Sequence, residues 1–566
     1  MLQYNVAKSK PAHKKYKEIM MRHKKLISAL IVAIAAPVIA YFVSEDIRCM
    51  RYLKDPDEIR HKEVQSIDMS EKDRIKDFDT LWKVVSEGIP AVYAYPDAFG
   101  YDIRKSEERY REAVRNAVDD TEYFCVMQSV LNDVPSAHTG FFFPDYKLIT
   151  EYNCMASEIV KTDPYLRDMT ELWNKSMKHY YRESRAYQFD YVEGKYCFSP
   201  DSEVKISDEG APVIKSVNGI SPDEFILDHL SSAKMCFDDE TGKLYRRSLV
   251  FNDRNGEKLE LVLENEDGSE SETEVFYDLC DEYMFVNQPY LHGVYEPPDE
   301  IYDIEYLDGE RNIVYFRLDD LDNDKGSKVA SEIKKYCTSD DVSVILDLRR
   351  NGGGTLEYTG EYLYSSLFSD DNTVHESEYI LKSSGNRDFF RGIYRLMNIK
   401  VFGMDKLSSG EIAGISPFLE GRTVYSYDVS ADMKGGTGQM PFVCVLVSDK
   451  TASSADYFVS AVKPYDNAVI IGENTAGEKT GGQFMAMLPK SKLVYYYSAS
   501  VCQNPDGTDN SLYGTEPEIR CRQSLDGYRD CSIMLSENKP ADTLKNRIQW
   551  DDVLQKGKRQ INRVFF

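Results

Sequence analysis

This chain of 566 residues has little with which to bind a metal. It holds only eight histidines, none clustered at zinc-ligand spacing, and its eleven cysteines include no C-x-x-C pair. The sequence therefore calls for no cofactor and no metal. No internal repeat is visible. Positive charge is also short: the net charge is −26, and residues 26–566 stand at −33 because the first 25 residues carry eight Lys/Arg against one Glu. So acidic a surface disfavours nucleic acid and anionic lipid as partners. The odd cysteine count leaves at least one thiol unpaired within a monomer. The remainder, 42% hydrophobic residues and 12% aromatics, is globular in composition and long enough for roughly two to four domains.

The N-terminus differs from the rest. Residues 1–25 form a basic tail, and Leu26 to Val43 is an uncharged, mostly apolar run of 18 residues, close to the roughly 20 that span a bilayer. Glu45 and Asp46 come directly after it. The positive-inside rule keeps the tail cytoplasmic and exports the chain beyond Ser44. The expectation is an uncleaved anchor over 26–44, with a cleaved secretion signal as its rival, and a single-pass, extracytoplasmic protein.

After the anchor, residues 65–190 read as helical: Phe78, Leu81, Trp82 and Val85 keep a helical period. Pro135 ends one helix and leaves His138 in the loop beyond it. Residues 191–285 read as a small β-rich module, with a strand running from Val213 into the Asn218-Gly219 turn. From Ile313 the pattern becomes α/β, with buried strands at Val342–Leu346, Phe442–Val447 and Ala468–Ile471, and helices at Gly326–Cys337 and Thr355–Phe368. A long insertion, 370–440, interrupts it, with helical pieces expected around Phe389, Phe390, Tyr394 and Leu396. A helical tail closes the chain near 540–560.

Four strings bear on chemistry. The first is Lys450-Thr-Ala-Ser-Ser-Ala-Asp456, between an apolar strand and a helix whose buried face is Ala455, Phe458, Val459 and Val462. Ser453 would stand at that helix N-terminus, where unpaired N–H groups and the helix dipole favour developing negative charge. The plain alternative is that Ser453 or Ser454 only caps the helix. The second is Asp347-Leu-Arg-Arg-Asn-Gly-Gly-Gly354, a strand end whose glycines let backbone approach a substrate and aim N–H groups at an oxyanion. It is no Walker loop, because Thr355-Leu356 follows the glycines where Lys-Ser/Thr is required. The third is His138 among the small residues Ser136, Ala137 and Thr139. A lone histidine is otherwise structural or merely exposed. The fourth is the turn Gly472-Glu-Asn-Thr-Ala-Gly-Glu478.

In this order the strings resemble the carboxyl-terminal processing peptidase and tricorn-core family of serine peptidases, nearest to the nisin resistance protein branch. Pro135-Ser-Ala-His-Thr139, the Asp347–Gly354 strand end, Thr451-Ala-Ser-Ser-Ala-Asp456, the 472–478 turn and Gly514-Thr-Glu-Pro-Glu518 are similar to that family's motifs. The resemblance implies a helical domain carrying the catalytic histidine (65–190), a PDZ-like module (191–285) and an α/β core of crotonase-like ββα spiral form (300–566). It further implies a membrane-anchored endopeptidase cutting peptides or proteins near their C-termini, with Ser453 as nucleophile and His138 as base. Gly353 and Ser454 would supply oxyanion N–H groups, and Asp456, three residues on, is the candidate for orienting His138. Members using a Ser–Lys pair carry Lys 25 positions after the nucleophile. Glu478 stands there and Lys479 comes one place late, which points to the Ser–His version. The missing lysine, Glu518 in place of Asp and the absence of a carboxylate-binding Gly-rich loop leave a second reading open, a peptide-binding or signalling protein without hydrolysis.

Overall fold

The architecture grows from one open sheet whose inner strands are apolar on both faces. In this computed structural model six strands lie side by side in chain order: β1 (Tyr302–Asp308), β2 (Ile313–Leu318), β3 (Ser343–Asp347), β4 (Phe442–Val447), β5 (Ala468–Gly472) and β6 (Ile519–Arg520). β1 pairs antiparallel with β2, and the other four pairings are parallel. Successive side chains alternate between faces. Val314, Phe316, Val344, Leu346, Val443 and Val445 therefore enter one core, and Ile313, Tyr315, Ile345, Cys444 and Leu446 the opposite one. Such strands read as unbroken apolar runs because both faces are covered. The structure describes residues 62–151, 160, 163–180, 184–199, 202–204, 211–286, 302–308, 312–321, 326–337, 341–355, 359–387, 389, 405–436, 440–479, 483–536 and 543–565.

Before the sheet come helices. α1 (Glu71–Glu87) starts at the Ser70 cap, which accepts from the Asp73 N–H at 3.2 Å, and buries Phe78, Leu81, Trp82 and Val85. α2 (Asp120–Asn132) starts at Asp119 and stops before Pro135, as expected. Buried Asp77 on α1 accepts the N–H groups of Lys490 and Ser491 at 2.8 and 2.7 Å, tying the helices to the strands Gln483–Met487 and Val494–Ser498. The segment after His138 joins the same sheet: Gly140 and Phe141 pair with Tyr496 and Tyr495.

The β-rich module is a closed six-stranded barrel, beginning at Ala186–Val192 and ending at Glu270–Tyr277, filled by Phe189, Phe198, Val217, Phe251, Leu261 and Val275. It carries a hairpin, Met235–Asp238 with Lys243–Arg246. Ser221 and Glu224 form a reciprocal cap on its helix Pro222–Asp228.

α3 (Gly326–Tyr336) and α4 (Ser454–Val462) pack on one face of the core sheet, and α5 (Asp552–Phe565) covers the other through Leu554 and Ile561. The insertion builds a separate sheet: Asn372–Leu381 runs antiparallel to Val424–Met433 over ten paired positions, with Ser500–Cys502 alongside. Of its expected helical pieces, Phe390, Tyr394 and Leu396 lie outside the described residues. The helix expected over Thr355–Phe368 is a π-helical turn, Thr359–Tyr364, followed by Ser365–Leu367. The apolar run Leu26 to Val43 also lies outside the described residues, and among those described no helix is long and apolar enough to cross a membrane.

Candidate active site

Parallel strands β3, β4 and β5 deliver three turns to one edge of the sheet, and backbone hydrogen bonds stitch them together. Leu348 N–H donates to Leu446 O (2.9 Å), Ala452 N–H to Asn351 O (3.1 Å), Ser453 N–H to Gly477 O (3.0 Å) and Ala476 N–H to Thr451 O (2.8 Å). Side chains reinforce the stitching: Thr451 Oγ1 donates to Leu348 O (2.8 Å), and fully buried Asn351 donates to Leu318 O (3.0 Å).

Ser453 is pinned at φ 56°, ψ −129°, a conformation that side-chain-bearing residues rarely adopt. It opens α4, and its side chain makes no capping hydrogen bond. The capping alternative for Ser453 is therefore not what the structure shows. Of six non-glycine residues with positive φ among those described, Ser453 and Glu478 both stand in these turns, and strain of this kind collects at functional sites. Gly353 packs directly on the serine: a Cβ there would lie 2.6 Å from Ser453 Cβ and 3.1 Å from its Oγ.

His138 lies in the loop between α2 and the Gly140–Phe141 strand, facing a cleft of about 480 Å³. Gly352, Ala452, Thr475 and Ala476 line that cleft together with Lys234 and Cys236 from the barrel side. Ser453, next in the chain to Ala452, is half-buried. The acid beside His138 is Glu478, with Oε2 3.7 Å from Nδ1, too far for a hydrogen bond, and Nδ1 has no hydrogen-bond partner. Glu478 Oε1 accepts from Ser136 Oγ at 2.7 Å, so the carboxylate and the histidine loop share a contact. Burial pushes the Glu478 carboxyl up. Burial and the Lys234 ammonium push His138 down to about 4.

Two expectations need correction. Asp456 does not orient His138. Its carboxylate is fully buried and accepts from Thr475 Oγ1 (2.5 Å) and Asn510 Nδ2 (2.6 Å), tying α4 to the neighbouring turns. The N–H of Gly353 is not turned to an oxyanion here, because it donates to Asn351 Oδ1 at 2.9 Å. Ser454, the other expected donor, is the first residue of α4. Lys479 points away from the serine: its buried ammonium pairs with Glu376 of the insertion at 2.6 Å and donates to Ser460 Oγ at 3.2 Å. Glu518 is structural, accepting the Ile470 N–H at 2.7 Å. Sequence reasoning missed the place of Glu478 beside the histidine. Its signal was there, 25 positions after Ser453 and directly behind Gly477. Lys234 gave no signal at all, because only the fold brings the barrel hairpin to the loop.

Residues 312–521 match the model of peptidase family S41. That stretch identifies a serine-type peptidase of the S41 kind. Its substrates are peptides or proteins, and its core is an α/β protease core. Solved structures similar to it include mature CPAF complexed with lactacystin, at 14% identity over 83% of this chain and 99% of that one, with a TM-score of 0.45. The photosystem II D1 C-terminal processing protease is similar at 13% identity, 82% and 98% coverage and a TM-score of 0.31. The tricorn protease is similar at 13% identity over 87% of this chain and 37% of its own, with a TM-score of 0.33. No curated protein matches the chain. The S41 assignment of residues 312–521 thus rests on the sequence match.

The lowered His138 value fixes a pH dependence. A histidine whose folded value lies below its unfolded one, about 6.5, stays neutral and able to accept a proton until pH falls towards 4. With His138 as the base, the acidic limb of kcat/KM is expected well below pH 6.5. A limb at 6.5 or above would mean that His138 is solvated or is not the titrating group. The sign for stability is the same: the unfolded chain takes up this proton first, so stability drops as pH falls through this window.

A second prediction separates Lys479 from the chemistry. Lys479→Met leaves the Glu376 carboxylate buried and unpaired, and should cost about 3–5 kcal/mol in denaturant unfolding. Lys479→Met combined with Glu376→Leu should regain most of that loss and hydrolyse peptide at a near wild-type rate. Loss of turnover in a folded double variant would put Lys479 back in the catalytic machinery.

Proposed function

We propose that this S41 peptidase hydrolyses peptide bonds with Ser453 as nucleophile and His138 as its base. The observation that carries the reading is Ser453 itself, strained at a helix N-terminus, pressed against Gly353 and making no cap with its hydroxyl. A free hydroxyl is a weak nucleophile at neutral pH, so a neutral imidazole must take its proton as Oγ attacks the scissile carbonyl. His138 then returns that proton to the leaving amine, and a water activated by the same imidazole releases the acyl group. Glu478 is the acid placed to hold the Nδ1 side of the ring once the 3.7 Å gap closes. The Ser454 N–H and a turned Gly353 N–H would receive the oxyanion. Gly353, at φ 113° and without a side chain, can make that turn, and one such donor is worth about 3–4 kcal/mol.

The barrel, in this reading, is the PDZ-like module that presents substrate C-termini to the cleft. Its hairpin supplies Lys234 and Cys236 to the cleft wall, which supports the assignment. The basic tail and the apolar run over residues 26–44 support a membrane anchor with the peptidase outside the cytoplasm.

A fluorophosphonate probe should label Ser453 in the wild type and nothing in Ser453→Ala, with melting unchanged. Ser454→Ala should keep most of the labelling. Absence of label in the folded wild type would favour the peptide-binding reading without hydrolysis, and loss of label in Ser454→Ala alone would exchange the two serines.

Topology has its own test. Protease added to intact protoplasts should digest residues 46–566 while the N-terminus of the mature chain remains Met1. A soluble form starting near residue 40 would make the run a cleaved signal, and a domain resistant until lysis would place it in the cytoplasm.

A further inference from the structure

The segment that carries His138 is held from the barrel side at three points. Asn132 Nδ2 donates to Ser232 O at 2.7 Å. The fully buried guanidinium of Arg246 pairs with Asp133 and donates to Ala233 O at 2.6 Å. Lys234 Nζ donates to Thr139 O, the residue after His138, and at 3.4 Å to Leu131 O. The Arg246–Asp133 contact is closed off in protein. Lys234 lines the cleft beside His138, as Asn132 does, but it is a cation and has no carboxylate of the described residues within 4.0 Å. Its ammonium therefore acts on carbonyl oxygens and on the neighbouring imidazole rather than on an ion-pair partner.

We propose that Lys234 is a positioning residue for His138: it clasps the backbone on both sides of the histidine and stands as a cation beside the ring. The link to turnover rests on the Ser453–His138 reading above. The effect on the imidazole does not.

The surrounding charges fit this role. Facing His138 are Lys234 from the barrel side and Glu478 from the 472–478 turn. Facing Lys234 are Cys236, Arg247, Glu478 and Asp133. Arg247 is held by Asp449 at 2.8 Å, and Asp133 by Arg246, so neither is free to neutralise or replace the lysine. Burial lowers Lys234 to about 7, and burial together with Lys234 lowers His138 to about 4. The lysine is thus fully charged throughout the range in which the histidine would protonate, and its like charge opposes that protonation.

The test reads His138 directly in the full chain. With histidine carrying carbon-13 at Cε1, and the His138 signal assigned by its disappearance in His138→Gln, the titration is followed in wild type, Lys234→Gln and Lys234→Arg. Lys234→Gln removes the charge and keeps an N–H donor for a carbonyl, which favours folding. His138 should titrate about one unit higher in Lys234→Gln and stay near the wild-type value in Lys234→Arg. The acidic limb of kcat/KM should move up with it, and kcat should fall about tenfold or more as the loop loosens. An unmoved His138 titration in folded Lys234→Gln, or an equal shift in Lys234→Arg, would overturn the proposal. An unlabelled wild-type Ser453 would instead overturn the peptidase site, and the titration would still decide Lys234.

Discussion

The stitching of three strand-end turns is the constraint on which the rest of the site depends. Ser453 N–H reaches Gly477 O only if the serine sits at φ 56°, and Ala452 N–H reaches Asn351 O only if the chain turns sharply just before it. Such a conformation costs on the order of 1–3 kcal/mol. Each backbone hydrogen bond returns about 1 kcal/mol net, and leaving a buried N–H unmade would cost more. The strain therefore persists because the turns hold each other, and moving one residue of one turn disturbs the other two.

Beneath the turns the polar groups are paired rather than left to water. Asp456 accepts from Thr475 and Asn510, and the Thr515 N–H donates to Thr475 Oγ1 at 2.7 Å. Asn510 Nδ2 also reaches Asn504 Oδ1 at 3.1 Å. A buried carboxylate satisfied in this way fixes the start of α4 more rigidly than an apolar contact would, because shifting it strands a charge. That is why the acid three residues after Ser453 belongs to the scaffold, although helical spacing alone made it look available to the histidine.

How much of the molecule was legible in the sequence depends on how local each signal was. The strands from Ile313 to Leu318 and Phe442 to Val447, the stripe of α4 and the stop before Pro135 are written in short apolar periods and a backbone restriction, and the structure has them within one or two residues. The strings of His138 and Ser453 were legible, and His138 lines one cleft with Ala452, the residue before Ser453. The long strands of the insertion, Asn372–Leu381 and Val424–Met433, were not, because their pairing joins residues some fifty positions apart and their faces are mixed in polarity. The direction of the Gly353 N–H was equally hidden, since it is decided by one side chain, Asn351, at 2.9 Å.

The family match spans residues 312–521, and that stretch contains Ser453, Glu478 and the glycine turn but not the histidine. His138 comes from the helical region, is tied to the core through Gly140 and Phe141, and is clasped by Lys234 and Arg246 from the barrel. The proposed base therefore exists only while three regions of the chain are docked on one another, whereas the strained serine is secured by the core alone. A movement of the barrel hairpin by about an ångström would leave Ser453 in place and shift its base, a displacement that typically costs about a hundredfold in rate. The division sets where control over such a site can act: on the histidine side, through the contacts that hold residues 131–139.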